Sequence, residues 1–148
     1  MSEITQGEIL LPALTLVGLT FIVLSQIPFR RFKAALEGKV TPKDFELGES
    51  DRVPEFAALA NRNYMNLLEL PVIFYFACTL HYLLESVDMK VLVLAWTYVI
   101  LRILHSAIHL SYNNVMHRLI AFALSNFVLA GMWFFLISPI LAVARLDS

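Results

Sequence analysis

The sequence predicts an all-α membrane protein, a bundle of four transmembrane helices, and three observations carry that prediction. Apolar residues make up 59% of the 148-residue chain and charged residues only 16%, with a mean hydropathy of +0.71. Soluble domains average about 45–50% apolar and about 25% charged. Four apolar stretches each reach the roughly 20 residues that cross a bilayer as a helix. The connections between them are short except for one polar loop, so residues 1–148 form a single domain.

Composition also excludes function classes. The net charge is −1, and no basic arm interleaved with aromatics suggests nucleic acid. The single Cys78 allows no disulfide framework and reads as a small buried hydrophobe. The first apolar run lacks a basic leader and an Ala-x-Ala cleavage signal, so it is expected to be a retained span.

The first span is expected over about residues 9–29. Its Pro12 falls in the first turns, where a missing N–H is tolerated. A basic collar, Arg30-Arg31-Phe32-Lys33, ends it and opens a polar loop over about 30–54 that contains Gly38, Pro42, Gly48 and Pro54. The second span covers about 55–84. Pro71 removes one rung of its backbone ladder, so a kink is expected just after Glu69. The acidic turn Glu85-Ser86-Val87-Asp88 leads to a third span over about 89–112. Asn113-Asn114 then makes a tight turn into a fourth span over about 115–143, with Pro139 near its end.

Loop charges set the expected orientation. Arg30, Arg31, Lys33, Lys39, Lys43, Arg52 and Arg118 gather on one side; Glu3, Glu8, Glu85 and Asp88 lie on the other, where Lys90 and Arg145 are the basic residues. The positive-inside rule puts the long loop in the cytoplasm and both termini opposite. In a bacterium this would be the inner membrane.

Polar residues inside apolar spans are where function is expected. Arg62, Asn66 and Glu69 stand at i, i+4 and i+7, on one helical face of the second span. Arg102, His105 and His109 repeat the pattern at i, i+3 and i+7 in the third. At 1.5 Å per residue, Glu69 lies about 10 Å below Arg62, and Arg102 about 16 Å below the third turn. These depths permit a Glu69–Arg102 pair, which would let both charges persist in low dielectric. Arg118 begins the fourth span on the same side. One cytoplasm-facing pocket of Arg62, Asn66, Glu69, Arg102, His105, His109 and Arg118 would suit a small zwitterion. Arginines grip carboxylates, Glu69 takes an ammonium, and Asn66 offers both donor and acceptor. Apolar walls toward lipid suit a hydrophobic second ligand.

Plainer readings stand beside this one. Glu69 and Arg102 would also serve as glue between helices, and Arg62 and Arg118 as snorkelling interfacial arginines. His105 and His109 have metal-ligand spacing but only two members; His81 belongs to the far side and His117 to a turn, so no metal is expected. Trp96 and Trp133 read as packing or lipid-facing residues.

At these positions the chain resembles the MAPEG family, membrane-associated proteins in eicosanoid and glutathione metabolism. The second-span signature Arg-x-x-x-Asn-x-x-Glu with a following Pro is met by Arg62, Asn66, Glu69 and Pro71. The third-span signature is met by Arg102, by His105 three residues on, and by Arg118 sixteen residues on. His109 stands where glutathione-using members have Tyr, and Ala58-Leu59 where they have Glu-Arg. Thr41-Pro42-Lys43-Asp44 is weakly similar to an Asn-Pro-Glu-Asp segment of some members.

The resemblance implies a homotrimer with glutathione as co-substrate, bound between subunits near the cytoplasmic face. Arg62, Asn66, Glu69, Arg102, His105 and His109 would then form the glutathione shell, and Arg118 falls at the thiolate-stabilising position. The expected activity is a glutathione-dependent transferase or peroxidase acting on lipophilic electrophiles from the bilayer. A non-enzymatic lipid- or partner-binding scaffold of the same fold is the alternative, and a small-molecule or proton carrier a third.

Overall fold

The computed structural model describes residues 4–146, so Glu3, counted above in the charge asymmetry, lies outside the described residues. A single-turn 3-10 helix, Gln6–Ile9, leads into α1 (Leu10–Leu36). After the loop, with its own 3-10 turn Pro42–Phe45, come α2 (Glu55–Leu68), α3 (Leu70–Leu83), α4 (Met89–Leu110) and α5 (Val115–Leu146). Four segments, one of them the α2–α3 pair, are long and apolar enough to cross a membrane. The described residues are helical or irregular throughout. The chain is an integral, multi-pass membrane protein.

Span one is longer than the expected 9–29. Arg30 to Leu36 contains good helix formers, and the helix continues to a glycine stop. Gly38, at φ +69°, donates to Ala35 O (2.9 Å), and Lys39 N donates to Ala34 O (3.0 Å), the double closure of a Schellman motif. Span two is broken rather than merely kinked. Glu69 adopts φ −85°, ψ −97° between α2 and α3, and Pro71 sits in the first turn of α3.

The core lies where α1, α3, α4 and α5 meet, around Leu16, Val23, Phe74, Ala77, Tyr98, Val99, Met132 and Leu136. Phe74 and Tyr98 stack with ring centroids 4.4 Å apart. α5 packs chiefly along α4, and α1 along α2 and α4. The outward faces of α1 and α5 carry Phe21, Phe29, Phe127 and Phe134, each more than 60% exposed, as lipid-facing helices require.

Polar ties close both ends of the bundle. At one end the Gln6 amide accepts from Val87 N (2.9 Å) and donates to Val87 O (3.4 Å). There too His81 bridges Ser86 Oγ (2.8 Å) and the Met132 carbonyl (3.2 Å). At the other end Arg30 of the basic collar donates to the carbonyls of Phe56 (2.8 Å) and Leu110 (3.4 Å), joining α1 to the start of α2 and the end of α4. Arg31 pairs with Glu49 (3.2 Å) over the Phe45 ring.

The loop is held to the bundle by Ala34, Val40, Val53, Ala57 and Ala58. Asp44 organises it: Thr41 N (2.8 Å) and Thr41 Oγ1 (2.9 Å) donate to one carboxylate oxygen and Ser50 Oγ (2.7 Å) to the other. The Thr41 amide first, then the Ser50 and Thr41 hydroxyls, hold this carboxyl down at about 2.

Candidate functional site

The site grows out of the α2–α3 break. Pro71 cannot donate a backbone N–H, so α2 stops and leaves its last carbonyls without helical partners. One of these belongs to Asn66. Arg102, fully buried on α4, donates Nη2 to both the Asn66 carbonyl (2.9 Å) and the Asn66 side-chain oxygen. The guanidinium thus caps the C-terminal end of α2, where the helix dipole presents partial negative charge.

The Glu69–Arg102 ion pair expected from helical depth is not formed: no carboxylate lies within 4 Å of Arg102 among the described residues. Glu69 sits in the break itself, exposed, and acts on Arg102 only at longer range. The correction has a simple cause. The buried flank of α2 is Ala60, Asn63 and Leu67, one step around the helix from Arg62, Asn66 and Glu69. That rotation leaves Arg62 and Glu69 on the outside and Asn66 half-buried at the seam.

On α4, Tyr98, Arg102, His105, Ser106 and His109 all point inward. Ser106 Oγ donates to Asn63 Oδ1 (3.2 Å), a second polar tie between α2 and α4. His105 lies edge-on to His109 and near Phe122, each with centroids 5.9 Å apart. Arg102 stands over the same Phe122 ring, 5.7 Å from its centroid. Buried polar atoms remain without protein partners here: Arg102 Nε and Nη1, Asn63 Nδ2, and Nδ1 of both histidines. Such atoms call for water or a polar ligand.

Arg118, in the first turn of α5, completes the group. Its Nη1 approaches His109 Nε2 (3.3 Å) and donates to Asn113 Oδ1 (2.7 Å). A guanidinium only donates, so His109 Nε2 accepts and its ring proton sits on Nδ1. Asn66, His105, Val115, Arg118, Leu119 and Phe122 line a cavity of about 240 Å³.

The structure therefore gathers Asn66, Arg102, His105, His109 and Arg118 around one niche, while Arg62 and Glu69 stand outside it on the α2 surface. Sequence reasoning missed Asn63, Ser106 and Asn113. Ser106 was legible as the residue four after Arg102 on the same face; Asn113 was read only as a turn residue. Among the described residues no group of three His, Cys, Asp or Glu side chains could hold a metal ion. A second, mostly apolar cavity of about 450 Å³ lies between the end of α1 and the loop, lined in part by Arg31, Phe32, Val40 and Phe45.

No curated protein and no solved structure gives a significant match to the chain. Residues 9–138 match the sequence model of the MAPEG family, and the match covers α1 to α4, most of α5 and each site residue named above. The chain belongs to the MAPEG family.

Proposed function

We propose that the protein is a membrane glutathione-dependent transferase or peroxidase acting on lipophilic electrophiles. The observation that carries this reading is Arg118: a half-buried cation at the rim of a small polar cavity that it shares with Asn66 and His105. A free thiol is mostly protonated at neutral pH, and a fixed cation beside it lowers its pKa. The thiol proton passes to solvent. The thiolate sulfur then forms a bond to an electrophilic carbon as the leaving group departs with its electron pair, or to a peroxide oxygen as the O–O bond breaks. In that second case the alkoxide takes a proton from solvent, and a second glutathione converts the sulfenic acid to the disulfide and water. The site is completed between copies in a homotrimer, in which the outward Arg62 and Glu69 of one copy face the neighbour. The positive charge of the collar and loop supports a cytoplasmic side for it, and the lipophilic substrate arrives from the bilayer.

The test is an ultraviolet titration of the thiolate in detergent at saturating glutathione. Wild type should show the thiolate band well below the pH at which free glutathione ionises, and Arg118→Ala should abolish it. A wild type without the band sinks the proposal. The apolar cavity beneath the loop favours a second reading, a non-enzymatic lipid- or partner-binding member of the same fold. In that case glutathione gives no thermal shift, and added lipid gives one.

A further inference from the structure

An arginine that stabilises a thiolate has to be held still without losing its charge. Arg118 is held by one nitrogen: Nη1 carries both hydrogen bonds, to Asn113 Oδ1 at 2.7 Å and to His109 Nε2 at 3.3 Å. Its Nε and Nη2 make no hydrogen bond to the described residues, and the side chain lines the cavity. The shorter bond comes from a residue that the family signatures leave out.

Asn113 is itself fixed on three sides. Its backbone is left-handed, φ +46°, a conformation that Asn tolerates better than most side chains. Its N–H closes the end of α4 on Ile108 O (2.8 Å). Its side-chain Nδ2 donates to Glu55 Oε1 (3.4 Å) in the first turn of α2. That bond settles which way the amide lies: nitrogen toward Glu55, oxygen toward Arg118.

We propose that Asn113 is the positioning residue for Arg118, fixing the guanidinium by one edge so that its other two nitrogens face the cavity. The proposal rests on the thiolate reading of the site. Asn113 touches the arginine and not the substrate. Its neutral oxygen orients the guanidinium without cancelling its field, whereas a carboxylate in the same place would offset the charge. The turn between α4 and α5 thereby becomes part of the reaction machinery.

Two substitutions separate this role from a purely structural one. Asn113→Gly keeps the left-handed turn and removes the acceptor. Asn113→Asp keeps both the turn preference and the acceptor but adds a negative charge. Thiolate absorbance against pH, with kcat and KM for glutathione, is measured for wild type and both variants, and folding is checked by thermal unfolding. Both variants should raise the apparent pKa of bound glutathione, with about tenfold less thiolate at neutral pH, as expected for one charge-assisted hydrogen bond or one neutralised cation. The fall should appear in kcat more than in KM. A merely structural Asn113 predicts that Asn113→Asp loses thermal stability, because the bond to Glu55 is gone, with the thiolate pKa unchanged; an unchanged thiolate pKa in Asn113→Asp overturns the proposal. If Asn113→Gly does not fold, the aspartate variant decides alone. A wild-type band with unchanged variants removes only the positioning role, whereas no band in wild type removes the thiolate reading and this role together.

Discussion

Arg102 brings a full charge to a place where no carboxylate meets it within 4 Å among the described residues, and the molecule answers with Asn66. Two hydrogen bonds from a cation to carbonyl-type oxygens contribute about 1.5–3 kcal/mol each when their loss leaves buried groups unpaired. Arg102→Met should therefore lower stability by about 3–6 kcal/mol, read as the unfolding midpoint in detergent. Glu69→Gln should cost far less, since Glu69 is exposed. A larger loss for Glu69→Gln than for Arg102→Met would restore the ion pair that the geometry lacks. Asp44 gives a pH dependence of definite sign. Its folded carboxyl titrates at about 2, below its ordinary 3.8. Its contribution to loop order is complete at neutral pH and is lost only as pH falls from about 4 through about 2. The Thr41 amide resonance should follow that titration, and Asp44→Asn should flatten it. The polar stripes were legible as spacing because i, i+4 and i+7 share a helix face. Which flank of α2 turns inward was not, because a single residue step rotates a helix by about 100°, and packing of Ala60, Asn63 and Leu67 sets that rotation.

At the level of elements, the break between α2 and α3 explains why Arg102 has a carbonyl to cap. Pro71→Ala supplies the missing N–H and removes the clash with the preceding turn. The expected outcome is a protected amide at position 71 in hydrogen exchange and a looser Arg102, with a small fall in stability despite the better helix. An unprotected amide there would mean that tertiary packing, not proline, imposes the break. The existence of the four spans followed from apolar length, and the position of this break followed from Pro71. The end of α1 did not follow from the basic collar, because Arg and Lys propagate a helix as readily as they mark a membrane boundary. Gly38 was the better signal, since only a residue at ease with positive φ supports that closure. Asn113 escaped notice for a related reason: a turn signal describes the backbone and says nothing about what the side chain holds.

For the molecule as a whole, the outward placement of Arg62 and Glu69 on α2 gives the proposed homotrimer a specific test. Detergent-corrected light scattering should return three times the 16.8 kDa chain mass. Arg62→Ala combined with Glu69→Ala should weaken glutathione binding even where the niche of Asn66, His105 and Arg118 stays intact. A monomer that binds glutathione with wild-type affinity would show that one copy suffices. The helix inventory predicted the number of spans but not how they lean together, because apolar patterning specifies that a face is covered, not by which neighbour. One last consequence follows from the way α1 is fastened. Gln6 pins its start to Val87, and Arg30 pins its far portion to Phe56 and Leu110. Between the pins, Val17, Phe21 and Leu24 border a crevice of about 260 Å³ against Tyr64, Leu68 and Tyr75. A beam supported at both ends bows at its middle and does not swing like a gate, so the proposed lipophilic substrate, if it enters past this helix, has to be slim enough for that mid-span gap.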